Sequence, residues 1–399
     1  MTENLKLPSD QDISGRDLGA EELALLKEVI ESGVLNSTKG TKVAQFEKEF
    51  ASLYGSKHCV ALSSGTAAVH AAVNSLGLHA GDEVITTPIT DMGAITPILY
   101  EKGVPVFADI DPLTYNLTTA AIQKRITPKT KAIIVTHLFG NPCSMREIMA
   151  LAQEHNLFVI EDCAQSFLAA YDGKNTGTLG HVGVFSMQQG KHMTTGEGGM
   201  VITDDTALER RMRLFVNKAW GYGDPQPDHY FPALNYRLTE LQGAVAIAQL
   251  RKLTGVVSRR QAAAKRLDQK LSGLAGISIP KAPKGASHTY WKYCLDVDPD
   301  ISGFDVMALS KELKNFGIAS SPRYIQKPAF RCQVLREASP FGKGRDEDWW
   351  KKEYPGAYQA LSRVLVLPWS EFYTDAHVDF IAEKILTSVQ KLKNQPVAA

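Results

Sequence analysis

Cysteine is scarce: five residues, Cys59, Cys143, Cys163, Cys294 and Cys332, stand far apart with no C-x-x-C pair among them. An odd, scattered set makes neither a disulfide frame nor a zinc site, so reduced thiols in a cytoplasmic protein are expected and no metal. Charge of one sign is also lacking, with Lys+Arg 44 against Asp+Glu 43. With that balance neither the electrostatic footprint of a nucleic-acid binder nor a polybasic membrane anchor is evident, and a small anionic ligand in a local site stays open. No apolar run approaches the roughly 18 residues of a membrane-spanning helix. Residues Met1 to Arg16 are polar and acidic, without the basic patch and apolar stretch of a signal peptide. What is present is ordinary for a soluble globular chain: 399 residues, 44% hydrophobic and 22% charged, enough for roughly two or three domains.

From Ser56 to about Asp204, short apolar runs alternate with amphipathic stretches, the pattern of βα units on a mainly parallel sheet. Strands are predicted near Lys57 to Leu62, Glu83 to Thr87, Pro105 to Asp109, Lys131 to Thr136, Leu157 to Glu161, Val182 to Ser186 and Met200 to Thr203. A helix over Ser144 to Asn156 shows Ile148, Met149, Leu151 and Ala152 on one face, with Glu147 three residues after Ser144 as a start signal. One long helical stretch, Thr239 to Leu271, leads into a smaller unit. There the pattern predicts a strand at Tyr290 to Asp296, a helix at Asp305 to Phe316, a strand at Val364 to Leu367 and a closing helix from Asp375 to about Lys393. Phe341 to Trp350, rich in glycine, charge and aromatics, reads as a surface excursion. The expected architecture is a three-layer α/β/α large domain over 1–255 and a smaller C-terminal α+β domain over 256–399.

Three segments carry candidate chemistry. Ser63-Ser64-Gly65-Thr66 follows a strand and opens a helix, where free backbone N–H groups and the helix dipole suit a phosphate. Taken alone it is equally a plain N-cap at Ser64 with Gly65 easing the turn. Asp162, at the carboxyl end of a strand, stands where open α/β sheets hold ligands and can grip a cationic group such as a protonated pyridine nitrogen. It can also simply cap the next turn. Lys191 lies on a loop that begins after Ser186 and ends in Gly196-Glu197-Gly198-Gly199. A desolvated lysine near a cationic ring has a lowered pKa and a neutral amine for imine formation. A surface lysine in a flexible loop is the bland alternative, and it leaves the two flanking apolar strands and the glycines unexplained.

Together these segments resemble the DegT/DnrJ/EryC1/StrS sugar aminotransferases among the fold-type I pyridoxal-phosphate enzymes, from about Gly33 to the C-terminal helix. The resemblance implies pyridoxal 5′-phosphate as cofactor. By it, Gly65 and Thr66 bind the cofactor phosphate through backbone N–H groups and Ser186 adds a hydroxyl. Asp162 pairs with the pyridinium nitrogen, Gln165 contacts the ring hydroxyl side, and Lys191 is the Schiff-base lysine and general acid/base. Asn235, in Asn235-Tyr236-Arg237-Leu238-Thr239-Glu240-Leu241-Gln242, looks like the family's dimer-crossing residue, reaching the phosphate of a neighbouring subunit and implying a homodimer with shared sites. The implied reaction moves an amino group from glutamate or glutamine to a keto carbon. Glu161 to Ser166 with Phe185 to Lys191 looks like the branch that aminates scyllo-inosose-type keto-cyclitols, while other branches act on nucleotide-linked 3-keto or 4-keto sugars or on an 8-oxo octulosonate.

One position departs from the pattern: Asp91 stands where many relatives carry an aromatic that stacks on the pyridine ring. Asp91 then makes a polar contact, or another group covers the ring; with Tyr324, in Arg323 to Pro328, it is a candidate substrate-facing residue. His137 reads as a structural hydrogen-bonding residue and His192 as pointing away from the site. Trp349 and Trp350 suit a sugar stack, an exposed loop or a subunit contact, and Arg210, Arg211 and Arg213 a solvated face or interface. Two rivals remain. A sugar dehydratase of the same family carries histidine where Lys191 stands, and a non-catalytic ligand-binding regulator would show no cofactor absorbance.

Overall fold

The protein is described by a computed structural model over residues 5–394. The strands in chain order are β1 (His58–Leu62), β2 (Glu83–Thr86), β3 (Val104–Phe107), β4 (Thr130–Thr136), β5 (Phe158–Asp162), the short β6 (Ala170–Tyr171) and β7 (Lys174–Asn175), β8 (Val182–Ser186) and β9 (Gly199–Thr203). Seven of them form one sheet in the order β1-β9-β8-β5-β4-β2-β3. Six run in one direction; β9 runs against both neighbours.

Alternation along each strand builds the layers. Val60, Leu62, Val84, Ala132, Ile134, Ile160, Val184 and Val201 share a core with helices Gly65–Ser75 and Thr206–Val216. Their immediate neighbours Ala61, Ile85, Ile133, Val159, Phe185 and Ile202 face the opposite side, against helices Lys42–Tyr54, Met145–Glu154 and Glu240–Leu271. A period of two with apolar residues on both faces is what a covered parallel sheet requires. The result is the three-layer α/β/α arrangement.

The helix Glu240–Leu271 is a spine. Thr239 and Gln242 close its start with a capping box. Ala246, Ile247, Leu250 and Leu253 pack in the large unit, while Ala263, Leu267 and Leu271 pack in a second core. That second core surrounds β10 (Ile277–Ser278), β12 (Lys292–Val297), β13 (Ser321–Pro322) and β14 (Val364–Pro368), in the order β10-β12-β14-β13, with helices Val306–Asn315 and Asp375–Lys393 over it. A further strand, β11 (Ala286–Ser287), joins β6 and β7.

Two features differ from the sequence expectation. Helices Ala20–Ser32 and Lys42–Tyr54 precede the first strand and were not read from the pattern. The segment Phe341 to Trp350 runs over the surface, with Lys343 to Asp346 and Asp348 exposed, but its aromatics turn inward. Trp350 is buried and stacks on Phe330 at 4.4 Å between centroids, and Phe341 lies 5.6 Å from Phe107. The adjoining Tyr354 hydroxyl donates to the Phe107 carbonyl at 3.0 Å, covering the outer side of edge strand β3.

Candidate active site

The strand ends gather the site. β1, β2, β5 and β8 share a direction, so Ser64, Asp91, Asp162 and Ser186 all emerge at one carboxyl edge, where open α/β sheets leave a crevice. A cavity of about 420 Å³ lies there, and among its lining residues are Gly65, Thr66, Asp91, Asp162, Gln165, Ser186, Lys191 and Tyr324. Eight of the nine site residues expected from the sequence are thereby brought together. Asn235 is the ninth; it is exposed on the loop between helices Thr206–Val216 and Glu240–Leu271 and does not line the cavity.

At one end, the Ser64 hydroxyl accepts from the Ala67 N–H at 3.0 Å, which makes it the N-cap of helix Gly65–Ser75. The cap and phosphate readings are compatible, since the N–H groups of Gly65 and Thr66 stay unpaired in the first turn. Ser186 sits across from them: a Cβ on Gly65 would come within 2.7 Å of the Ser186 Cβ. Close approach also explains Gly199, whose added Cβ would meet the Ser64 carbonyl at 2.2 Å. These glycines let β9 and the helix start converge on one small concavity.

Deeper in, Asp162 is buried, its Oδ1 accepting from the Ala164 N–H at 3.0 Å. Burial pushes its pKa up, opposed by the Ala164 bond and by the positive charge of Lys191. The Lys191 amine has no carboxylate within ion-pair range among the described residues; it lies 4.5 Å from the centroid of the Trp291 ring. Burial pulls its pKa down to about 8, against the attraction of Asp162 and Asp91. Gln165 turns its carbonyl to the Phe139 N–H at 2.7 Å and its amide toward the Tyr324 hydroxyl at 3.5 Å. Arg323, Tyr324 and Gln326 hold φ at +62°, +43° and +68°, a run of left-handed non-glycine residues that stores strain beside the cavity. Asp91 caps the turn Met92–Ala94 through the Gly93 N–H at 2.8 Å.

The histidines have settled partners. His137 Nδ1 accepts from the Cys143 N–H at 3.0 Å, so its proton sits on Nε2 and is donated to Glu161 at 2.9 Å. Glu161 also accepts from the N–H groups of Gly177, Leu179 and Gly180. His137, Glu161 and Cys163 come together at metal-ligand spacing, yet the imidazole and carboxylate are already committed to these bonds. His192 is buried and donates to the Thr289 carbonyl at 3.0 Å. Trp291 was missed by sequence reasoning: it follows Tyr290 at the mouth of a strand, and nothing in its spacing points at Lys191.

A profile of the DegT/DnrJ/EryC1/StrS aminotransferase family matches residues 16–386. The chain belongs to this family. It is an enzyme of the pyridoxal-phosphate-dependent aminotransferase class, with the fold-type I architecture. It is 33% identical over 382 residues to the spore coat polysaccharide biosynthesis protein SpsC of Bacillus subtilis, covering 92% of this chain and 94% of that protein. It is 37% identical over 289 residues to a GDP-perosamine synthase of Caulobacter vibrioides, covering 72% and 77%. Among solved structures, DesV of S. venezuelae, in complex with a ketimine intermediate, superposes with a TM-score of 0.84 at 26% identity over 94% of this chain and 95% of that one. Among the described residues no helix is long and apolar enough to cross a membrane.

Proposed function

We propose that this enzyme transfers an amino group from glutamate or glutamine to a keto carbon of a sugar or cyclitol, with pyridoxal 5′-phosphate held in the cavity at Lys191. The observation that carries the reading is the placement of Lys191: a half-buried amine with no ion-pair partner among the described residues, sharing one cavity with a buried carboxylate and a helix N-terminus.

The residues fit the cofactor. A dianionic phosphate suits the unpaired N–H groups of Gly65 and Thr66 and the Ser186 hydroxyl. Asp162, buried in the same cavity, would keep a pyridine nitrogen protonated, and its burial would strengthen that pairing. Gln165 reaches the ring hydroxyl side. When bound, pyridoxal phosphate supplies an aldehyde that captures amines and a ring that accepts the electron pair released at the donor carbon. With the cofactor bound, Lys191 would anchor it, and its Nζ would be the atom that takes up and gives back a proton. Tyr324 and Asp91 face the acceptor. We assign Asn235 to the phosphate of a second subunit, making the working enzyme a homodimer with shared sites, in a two-domain division near residue 255.

The sugar class rests on SpsC and the GDP-perosamine synthase, whose names place them in polysaccharide and amino-sugar chemistry. Asp91 and Tyr324 both line the cavity, and we assign them to the acceptor. The unpaired cysteines suit a reducing compartment, and we place the reaction in the cytoplasm. The test is to load the protein with pyridoxamine phosphate and add keto-cyclitols, nucleotide-linked keto sugars and an 8-oxo octulosonate in turn. An acceptor that restores the visible absorbance of lysine-bound cofactor and becomes aminated identifies the substrate. A deoxy sugar formed without amination would assign the dehydratase reaction instead.

A further inference from the structure

The loop that carries Lys191 is tied down from an unexpected direction. Arg16 lies 175 residues away in sequence and is buried, yet its Nη1 donates to the carbonyl of Lys191 itself at 2.7 Å. Its Nε donates to the Asp10 carbonyl at 2.9 Å. That same Asp10 carbonyl accepts from the Gln189 side chain at 3.2 Å, two residues before the lysine. The Asp10 carboxylate pairs with Lys292 Nζ at 2.8 Å. From the other side, the Trp291 indole N–H donates to the Gly190 carbonyl at 2.7 Å. The segment is itself compact: Asp12 caps its turn through the Ser14 N–H at 2.8 Å, and a Cβ on Gly15 would lie 2.3 Å from the Ser9 carbonyl.

We propose that residues 9–16 form a strap that positions Lys191, with Arg16 as the positioning residue that ties the lysine's own carbonyl to the strap. A guanidinium suits this because its fixed fork reaches two carbonyls at once, which a single ammonium cannot do in the same geometry. By holding the loop against Trp291, the strap keeps the half-buried amine over the Trp291 ring. The charged groups facing that amine are Asp162 from β5, Asp91 after β2, Glu197 before β9 and Lys292 from β12; Arg260 and Glu371 lie beside Arg16. The proposal rests on Lys191 being the working amine.

The test reads that amine in the protein without cofactor. Trace acetylation with acetic anhydride across pH, followed by peptide mass spectrometry, gives the labelling midpoint of Lys191. In the wild type it is expected at about 8. For Arg16→Lys, a loosened loop hydrates the amine and moves the midpoint up by one unit or more, toward the roughly 10.4 of a free lysine. At pH 8 labelling then drops about fivefold or more. An unchanged midpoint in a folded Arg16→Lys protein overturns the proposal. Should that variant not fold, Gly15→Ala opens the strap without touching Arg16: a raised midpoint supports the proposal and an unchanged one overturns it. Both results are independent of which substrate, if any, the loaded enzyme turns over.

Discussion

Lys191 is one of 44 basic residues, and its neighbourhood separates it from the rest. A neutral amine is what captures an aldehyde, and burial lowers the pKa to about 8. Covalent capture of pyridoxal phosphate by the unloaded protein is therefore expected to speed up as pH rises through about 8 and then level off. Stopped-flow absorbance measures it; a limb rising beyond pH 10 would contradict the lowered pKa. Lys191→Ala removes both anchor and proton carrier. It is expected to keep the cofactor noncovalently, lose the visible absorbance and lose at least ~10²–10⁴ in turnover; full turnover in this variant would refute the assignment. The motif residues were legible in sequence because each stands beside a strand end, where type and position together have meaning. Trp291 and Arg16 were not. Their roles depend on a ring face and a backbone carbonyl, which no residue pattern records.

Seven strands of the large sheet were readable because a covered sheet makes each strand a short apolar run, bounded by polar turns. Helix Lys42–Tyr54 carries a periodic apolar face, Val43, Phe46, Phe50 and Tyr54, that was readable and went unread, whereas helix Ala20–Ser32 escaped because its buried face is narrow. Val29 and Glu22 are the only buried residues of the latter, so little apolar periodicity is left to see. Glu161 shows the same limit from another side. It was read as part of a motif, yet its work is to tie β4, β5 and the turn at residues 177–180 together by four hydrogen bonds. Glu161→Gln turns an amide donor toward N–H groups that have nowhere else to go. A loss of about 3 kcal/mol is expected in urea unfolding, and a change below the scatter of the measurement would remove Glu161 from that role. The exposed capping box at Thr239 is a milder case, with Thr239→Ala expected to cost about 1 kcal/mol.

For the whole molecule, the cavity end proposed for the phosphate has backbone N–H groups and a hydroxyl but little positive charge. Lys191 is the only Lys or Arg among the described lining residues. The loop carrying Asn235 is meanwhile held outward: Arg210 pairs with Asp224 at 2.6 Å, and Arg211 lies over the Phe231 ring at 3.4 Å. Tyr222, Tyr230 and Leu234 of this loop are exposed, as are Val34 and Leu35 beside it. An apolar surface around an outward asparagine fits burial against a second copy, with the asparagine delivered to that copy's phosphate. Two substitutions separate the parts of this reading. Asn235→Ala is expected to leave a dimer in sedimentation equilibrium and weaken cofactor retention about tenfold, the worth of one hydrogen bond to a charged group. Leu234→Asp places a charge in the apolar contact and is expected to yield monomers that lose the cofactor on dialysis, although every lining residue of their own cavity is intact. Monomers that retain it as well as the wild type would show the site complete within one chain.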